Sequence, residues 1–170
     1  MAKVVVAKKT RSNSHQLHDS DSADLHHPVS VWLRLMKCHN LIFRELRKHV
    51  EKDDLITLPQ FDVLVQLSRQ SGGLSFVDLS RRLLVTSGNL TGIVDRLERE
   101  GLVVREQDGS DRRVVRIRLT PKGKDVIETM IPEHVKQIEN IFAGLSTKDL
   151  IQLREVLGKL KGALGEKYGV

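Results

Sequence analysis

The sequence predicts a mainly α-helical fold with one small β-hairpin: a winged helix-turn-helix lobe plus a helical region contributed by both ends of the chain. Three patterns carry this expectation. Leu90, Ile93, Val94 and Leu97 recur at i, i+3, i+4 and i+7, as on the buried face of one helix. Two alternating, β-branched stretches, 102–107 and 113–119, flank the turn residues Asp108-Gly109-Ser110-Asp111 and read as a hairpin. Leu150, Leu153, Leu157, Leu160 and Leu164 form a coiled-coil-like seam that asks for a partner.

The elements follow in order. Residues 1–27 are rich in Ser, Asp and His with little periodicity, and are expected to be a mostly disordered arm. From Val29 the pattern turns helical, with Val29, Trp32, Met36, Phe43 and Val50 as one apolar stripe. Residues 28–56 are therefore read as a first dimerisation helix. Thr57 is a natural N-cap and Pro59 fits the first turn of a second helix. Phe61, Leu64, Val65 and Ser68 form its expected inward face, and Ser71-Gly72-Gly73 its stop. Ser75 caps a short helix carrying Phe76, Leu79 and Leu83. Thr86 or Ser87 caps the next helix, and Gly101 ends it. After the hairpin, Thr120-Pro121 opens a long helix with a kink expected at Pro132. Leu145-Ser146 separates it from the leucine-seam helix. The winged lobe thus occupies 57–120, and a second dimerisation region 121–170.

Composition narrows the function. The 170 residues are 39% hydrophobic and 29% charged, with 28 Lys+Arg against 22 Asp+Glu and a net charge of +6. Such a length and balance fit a small soluble protein with a polyanionic partner. The excess is uneven: residues 72–123 hold ten basic against seven acidic residues, and residues 124–170 hold seven of each. No apolar run approaches the roughly 18 residues that would span a bilayer. The apolar stretch near the start is too short for a signal-peptide core, so no membrane association and a cytoplasmic location are expected. The single Cys38 excludes an intramolecular disulfide and a Cys-based zinc site. Aromatic residues at 4% argue against a base-stacking surface for single strands. No Gly-rich phosphate loop, nucleophile motif or paired-carboxylate arrangement points to an enzyme. No metal or cofactor is expected.

The functional constellation lies in the lobe. Opposite its apolar face, the helix from Thr86 offers Ser87, Gly88, Thr91, Gly92 and Asp95, with Asn89 at the edge. Small polar residues at a helix N-terminus let a backbone approach phosphates and base edges in a major groove. The hairpin carries Arg105, Arg112, Arg113, Arg116 and Arg118. An arginine at a hairpin tip can enter a minor groove, and Asp111 can pair with a neighbouring arginine and direct it. Ser75, Thr86, Ser87, Gly88, Asn89, Thr91, Arg96, Asp111, Arg112 and Arg113 are the candidate DNA-binding residues.

The run LSRRLLVTSGNLTGIVDRLEREGLVVREQDGSDRRVVRIRLTPKG resembles the winged-helix core of MarR-type bacterial transcription regulators. The marks are the V-D-R-L-E-R-E-G-L-V helix end, Asp111 and Arg113 at the hairpin tip, and the R-L-T-P-K-G junction. Leu58-Pro59-Gln60-Phe61 also matches, and the resemblance covers about Val29 to Leu164. It implies a homodimer interlocked through helices from both chain ends. It implies recognition by the Thr86–Arg99 helix, with Arg113 as the minor-groove residue oriented by Asp111. Two-fold symmetry then implies a pseudo-palindromic duplex operator with half-sites roughly one helical turn apart.

Regulators of this type respond to a small-molecule effector, often an aromatic or phenolic acid or a toxic compound, and many are repressors released by it. The family pocket lies between the dimer helices and the lobe. Residues that could line it are Trp32, Met36, His39, Phe61, Asp62, Val65, Met130 and His134, although most also fit packing stripes. Two alternatives stay on the same scaffold. Cys38 admits a hydroperoxide sensor, but the tyrosine partners of that branch are lacking, since the one tyrosine is Tyr168. Seven histidines admit a metal sensor, but no diagnostic spacing supports one.

Overall fold

The structure is a computed structural model that describes residues 28–52, 55–109 and 111–168. The arm expected over 1–27 lies outside the described residues. Among the described residues nine elements follow in order: α1 (Pro28–Val50), α2 (Leu58–Ser68), β1 (Leu74–Ser75), α3 (Phe76–Leu83), α4 (Ser87–Arg99), β2 (Val103–Gln107), β3 (Val115–Leu119), α5 (Pro121–Phe142) and α6 (Thr147–Tyr168). The chain divides into two compact units, one ending at Leu41 and the other beginning at Ile42. In the first unit, the part of α1 up to Leu41 exposes Val29, Val31, Trp32, Leu33 and Leu35. Among the described residues no helix is long and apolar enough to cross a membrane.

The second unit holds the winged lobe. Its helices form where caps and apolar periodicity agree. Thr57 closes the first turn of α2, its amide and hydroxyl donating to the Gln60 Oε1 at 2.8 and 2.9 Å. Ser75 accepts from the Asp78 amide at 3.1 Å to start α3. The apolar faces of these helices converge on Val63, Leu64, Leu79, Leu90, Val94, Leu97, Ile117 and Ile127, all fully buried. Burying a side chain of this size stabilises the fold by roughly 1.5–3 kcal/mol, so this cluster is the centre of the lobe.

The expected hairpin is present, with Val103 opposite Leu119 and Gln107 opposite Val115. The structure adds a third strand, with Leu74 opposite Ile117, so the sheet order is β1-β3-β2. Two residues are too short to alternate visibly, which is why β1 escapes a periodicity argument. Gly73 lets it pair: its φ is +72°, and a Cβ there would lie 2.6 Å from the Ile117 carbonyl oxygen. Two boundaries move. The second helix ends at Ser68, before the Gly pair, and Ser68 is exposed, not inward. The second hairpin strand begins at Val115, since Arg113 and Val114 belong to the turn. The helix α5 runs on through Pro132.

The junction from β3 to α5 is tightly built. Thr120 donates its amide to Leu102 at 3.1 Å and its hydroxyl to Gly101 at 2.7 Å, and that hydroxyl accepts from the Gly123 amide at 3.0 Å. The α5 backbone at Gly123 lies so close to Leu102 that a Cβ would sit 2.0 Å from its carbonyl oxygen. Beyond α5, the leucine seam of α6 stays partly open among the described residues: Leu150, Leu153, Leu157, Leu160 and Leu164 are each 38–43% exposed.

Candidate nucleic-acid interface

The α4 helix presents two contrasting faces. Leu90, Val94 and Leu97 are fully buried, which pins the helix to the core. The opposite face carries exposed Gly88, Asn89, Thr91 and Gly92. A Cβ at Gly88 or Gly92 would meet nothing within 4 Å, so this face is smooth and open. Thr86 is the N-cap in extended geometry, and its side chain makes no cap hydrogen bond. The first-turn amides of α4 and the Thr86 hydroxyl thus offer donors at the positive end of the helix dipole. Arg96, farther along, pairs with Glu100 at 3.0 Å. Ser75 plays a different part: its hydroxyl caps α3 and donates to Asp78 at 2.7 Å. That hydrogen bond is the main reason the Asp78 carboxyl lies below its ordinary pKa.

The wing sorts its arginines. Arg116 binds the buried carboxylate of Asp108, whose other oxygen accepts from the Asp111 amide at 3.2 Å. Arg118 pairs with Glu106 at 3.1 Å. Arg105 turns toward Asp95 and Glu98 of α4. The two tip residues, Arg112 and Arg113, point outward. Asp111 accepts from the Arg113 amide at 3.0 Å and from its Nε at 3.2 Å. The Arg113 side chain is nevertheless 92% exposed, so the carboxylate aims the guanidinium without covering it. Of the five wing arginines, Arg112 and Arg113, the two named as DNA-binding candidates, thus stay outward, whereas Arg105, Arg116 and Arg118 are held by the protein's own carboxylates.

A second feature lies where α1, α2 and α5 meet. A cleft of about 200 Å³ is lined by His49, Val50, Lys52, Leu55, Phe61, Thr129, Met130, Glu133 and His134. The rings of Phe61 and His134 are 4.5 Å apart and tilted by 44°. Lys52 donates to Glu133 at 3.1 Å, and the His49 Nε2 is 3.9 Å from the same oxygen. The Lys52 hydrogen bond holds the Glu133 carboxyl below its ordinary pKa. Burial, with nearby His49 second, pushes the His134 pKa down, and its Nδ1 is buried with no hydrogen-bond partner among the described residues.

Of the expected effector residues, the cleft gathers Phe61, Met130 and His134. Asp62 and Val65, on the same helix as Phe61, do not line it. Burial raises the Asp62 pKa. Trp32, Met36 and His39 belong to the first unit, where Trp32 and His39 are exposed and Met36 is partly covered. His49, Lys52, Leu55, Thr129 and Glu133 are additions. They join the end of one helix to the middle of another 81 residues away, at Lys52 and Glu133, a pairing no local spacing encodes.

Comparison with known proteins places these features in a lineage. The model of the MarR family matches residues 56–115. The chain is 32% identical over 147 residues to the transcriptional activatory protein BadR of Rhodopseudomonas palustris, over 80% of this chain and 83% of that one. Its fold is similar to that of Sco3205, a MarR family transcriptional regulator from Streptomyces coelicolor in complex with DNA. The TM-score is 0.74 and the identity 25%, covering 80% of this chain and 86% of that one. BpsR of Bordetella bronchiseptica, whose DNA binding is regulated by 6-hydroxynicotinic acid, is similar at a TM-score of 0.70 and 26% identity. That match covers 77% of this chain and 92% of BpsR.

Proposed function

Because this chain belongs to the MarR family of transcription regulators, which bind DNA through a winged helix, we propose that it is a homodimeric repressor released by a small aromatic or phenolic acid. The observation that carries the DNA half is the pairing of two surfaces in one lobe. One is the smooth first turn of α4, shaped for a major groove; the other is Arg113, aimed by Asp111 and open to a neighbouring minor groove. Asn89 supplies a short polar group beside those amides, and Arg112 adds charge at the tip. The dimer half rests on the uncovered leucine seam of α6 and the exposed apolar residues of early α1, which one chain leaves unburied. The effector half rests on the cleft, where Phe61 and His134 offer a ring-stacking wall, Lys52 offers a cationic partner for a carboxylate and His49 a ring nitrogen beside it. Regulation of BpsR by 6-hydroxynicotinic acid supports an effector of that chemistry.

The test is selection of duplexes from a randomised pool by the purified protein, followed by titration of the enriched duplex with single-ring aromatic acids. Enrichment of a pseudo-palindrome and its release by one of the acids is the expected result. A pool that enriches nothing at low salt would sink the DNA reading. A second reading, that binding activates, follows from the likeness to BadR, an activatory protein by name. Transcription in vitro from the enriched site, with and without the protein, separates the two.

A further inference from the structure

Arg105 belongs by sequence to the wing cations, but three elements hold it inward. Its Nη2 lies 2.5 Å from the Asp95 Oδ1, its Nη1 binds the Glu98 Oε2, and its guanidinium carbon is 5.4 Å above the Phe76 ring. Asp95 and Glu98 are one turn apart on α4, so both carboxylates reach the same side of that helix. Phe76 comes from α3 and Arg105 itself from β2. Both terminal nitrogens are thus engaged and one face is stacked, which leaves the side chain only 26% exposed. A rigid fork serving two acids at once is a geometry lysine cannot reproduce. Burial works against the charge, but the hydrogen bonds and charges of Asp95 and Glu98 more than offset it and raise the Arg105 pKa.

We propose that Arg105 is a positioning residue that ties the recognition helix α4 to wing strand β2 and neutralises Asp95 on the groove-facing side of α4, so that helix and wing tip engage one duplex together. This rests on the DNA-binding reading. Its logic is geometric. The α4 turn and Arg113 act on different grooves, so the angle between helix and wing decides whether both contacts form at once. Asp95 is an exposed acid on the face that must approach phosphates. Without Arg105, two carboxylates stand unneutralised beside that path, and the strand loses its side-chain tether to the helix.

The experiment uses the full-length protein and the duplex it enriches from a randomised pool. Affinity is measured across a salt series for wild type, Arg105→Gln, Arg105→Lys, Asp95→Asn, Arg113→Ala and the Asp95→Asn/Arg105→Gln double variant. Arg105→Gln is expected to weaken binding about tenfold, within the range found for coupled, contacting residues. Its slope of log affinity against log salt should match wild type, because no phosphate contact is lost. Arg113→Ala is the benchmark for a lost phosphate-region cation and should flatten the slope by about one. Arg105→Gln should do less harm in the Asp95→Asn background than in wild type. Arg105→Lys should fall between wild type and Arg105→Gln, and it carries the same slope comparison if the glutamine variant does not fold. A slope that flattens as it does for Arg113→Ala would overturn the proposal in favour of direct phosphate contact. Equal losses in both Asp95 backgrounds, or unchanged affinity, would overturn it as well. A pool that enriches no sequence would instead remove the DNA reading and this inference with it.

Discussion

Replacing Gly123 with alanine should weaken the fold, whereas the same change at Gly92 should strengthen it. Both glycines lie in helices, and alanine is the better helix former by about 0.5–1 kcal/mol. The surroundings decide the sign. A Cβ at Gly123 would lie 2.0 Å from the Leu102 carbonyl oxygen, whereas ordinary contact begins near 3.4 Å. The first turn of α5 must therefore retreat from Leu102 by about 1.4 Å. That movement strains the bonds of Thr120 to Leu102 and Gly101, and of the Lys122 Nζ to the Glu100 carbonyl at 2.8 Å. Such hydrogen bonds contribute about 1 kcal/mol each, and overpacking costs typically about 1–3 kcal/mol. After the helix gain is subtracted, Gly123→Ala should lose about 2–4 kcal/mol, a large part of a typical stability of about 5–15 kcal/mol. Gly92→Ala has only open space to fill and should gain about 0.5–1 kcal/mol. Denaturant unfolding followed by far-ultraviolet circular dichroism, at one protein concentration because the stability of the proposed dimer would depend on it, measures both. A Gly123→Ala midpoint equal to wild type, or shifts of the same sign for the two variants, would refute the reasoning. Gly92→Ala should also weaken DNA binding, because the new methyl stands on the smooth face of α4.

Four further outcomes follow. Arg113→Ala should weaken DNA binding by about 1–3 kcal/mol in an anisotropy titration; unchanged affinity would show that the wing tip is not used. Leu84 holds a left-handed conformation (φ 54°) with its side chain 78% exposed. Relief of about 1–2 kcal/mol of strain, against the chain-entropy penalty of glycine, leaves Leu84→Gly more stable by about 0.5–1 kcal/mol. Thermal unfolding checks this, and a lower midpoint would contradict it. His134 has a folded pKa depressed by burial, so the neutral ring favours folding. That contribution is present above the ordinary value of 6.5 and is lost as pH falls from there toward the folded pKa. Denaturant midpoints from pH 7 downward should therefore decline less steeply in His134→Gln than in wild type. Leu157→Glu should shift the protein toward monomer in sedimentation, since the seam would carry one charge per chain into an apolar interface; a persistent dimer would place the interface elsewhere.

The fold was legible where a local pattern recorded a tertiary fact. The i, i+3, i+4, i+7 spacing of Leu90 to Leu97 marked the buried face of α4, and Thr57, Ser75 and Thr120 marked helix starts by their capping chemistry. The missing third strand shows the opposite case: Leu74-Ser75 is a strand only because β3 lies beside it. The wing was legible as a basic hairpin but not as a sorted one. Whether Arg116 faces outward depends on a buried Asp108 eight residues earlier in sequence, and the inward turn of Arg105 depends on α4. The tip pair was readable because Asp111 and Arg113 are two residues apart. The cleft was only half readable. Phe61, Met130 and His134 sit on recognisable stripes, but Lys52 and Glu133 meet through the fold alone.

The inward arginines also bear on how such a protein would search a chromosome. Arg96, Arg105, Arg116 and Arg118 each serve an internal carboxylate, so the number of arginines in the winged segment overstates the cations that remain to grip phosphate at an arbitrary place. Loose, sequence-blind binding draws its strength from such cations through counterion release. A lobe that keeps four of its ten arginines for its own framework should hold non-target DNA more weakly than its arginine count suggests and leave it quickly. Its discrimination would then come as much from brief residence on wrong sequences as from strength on the right one.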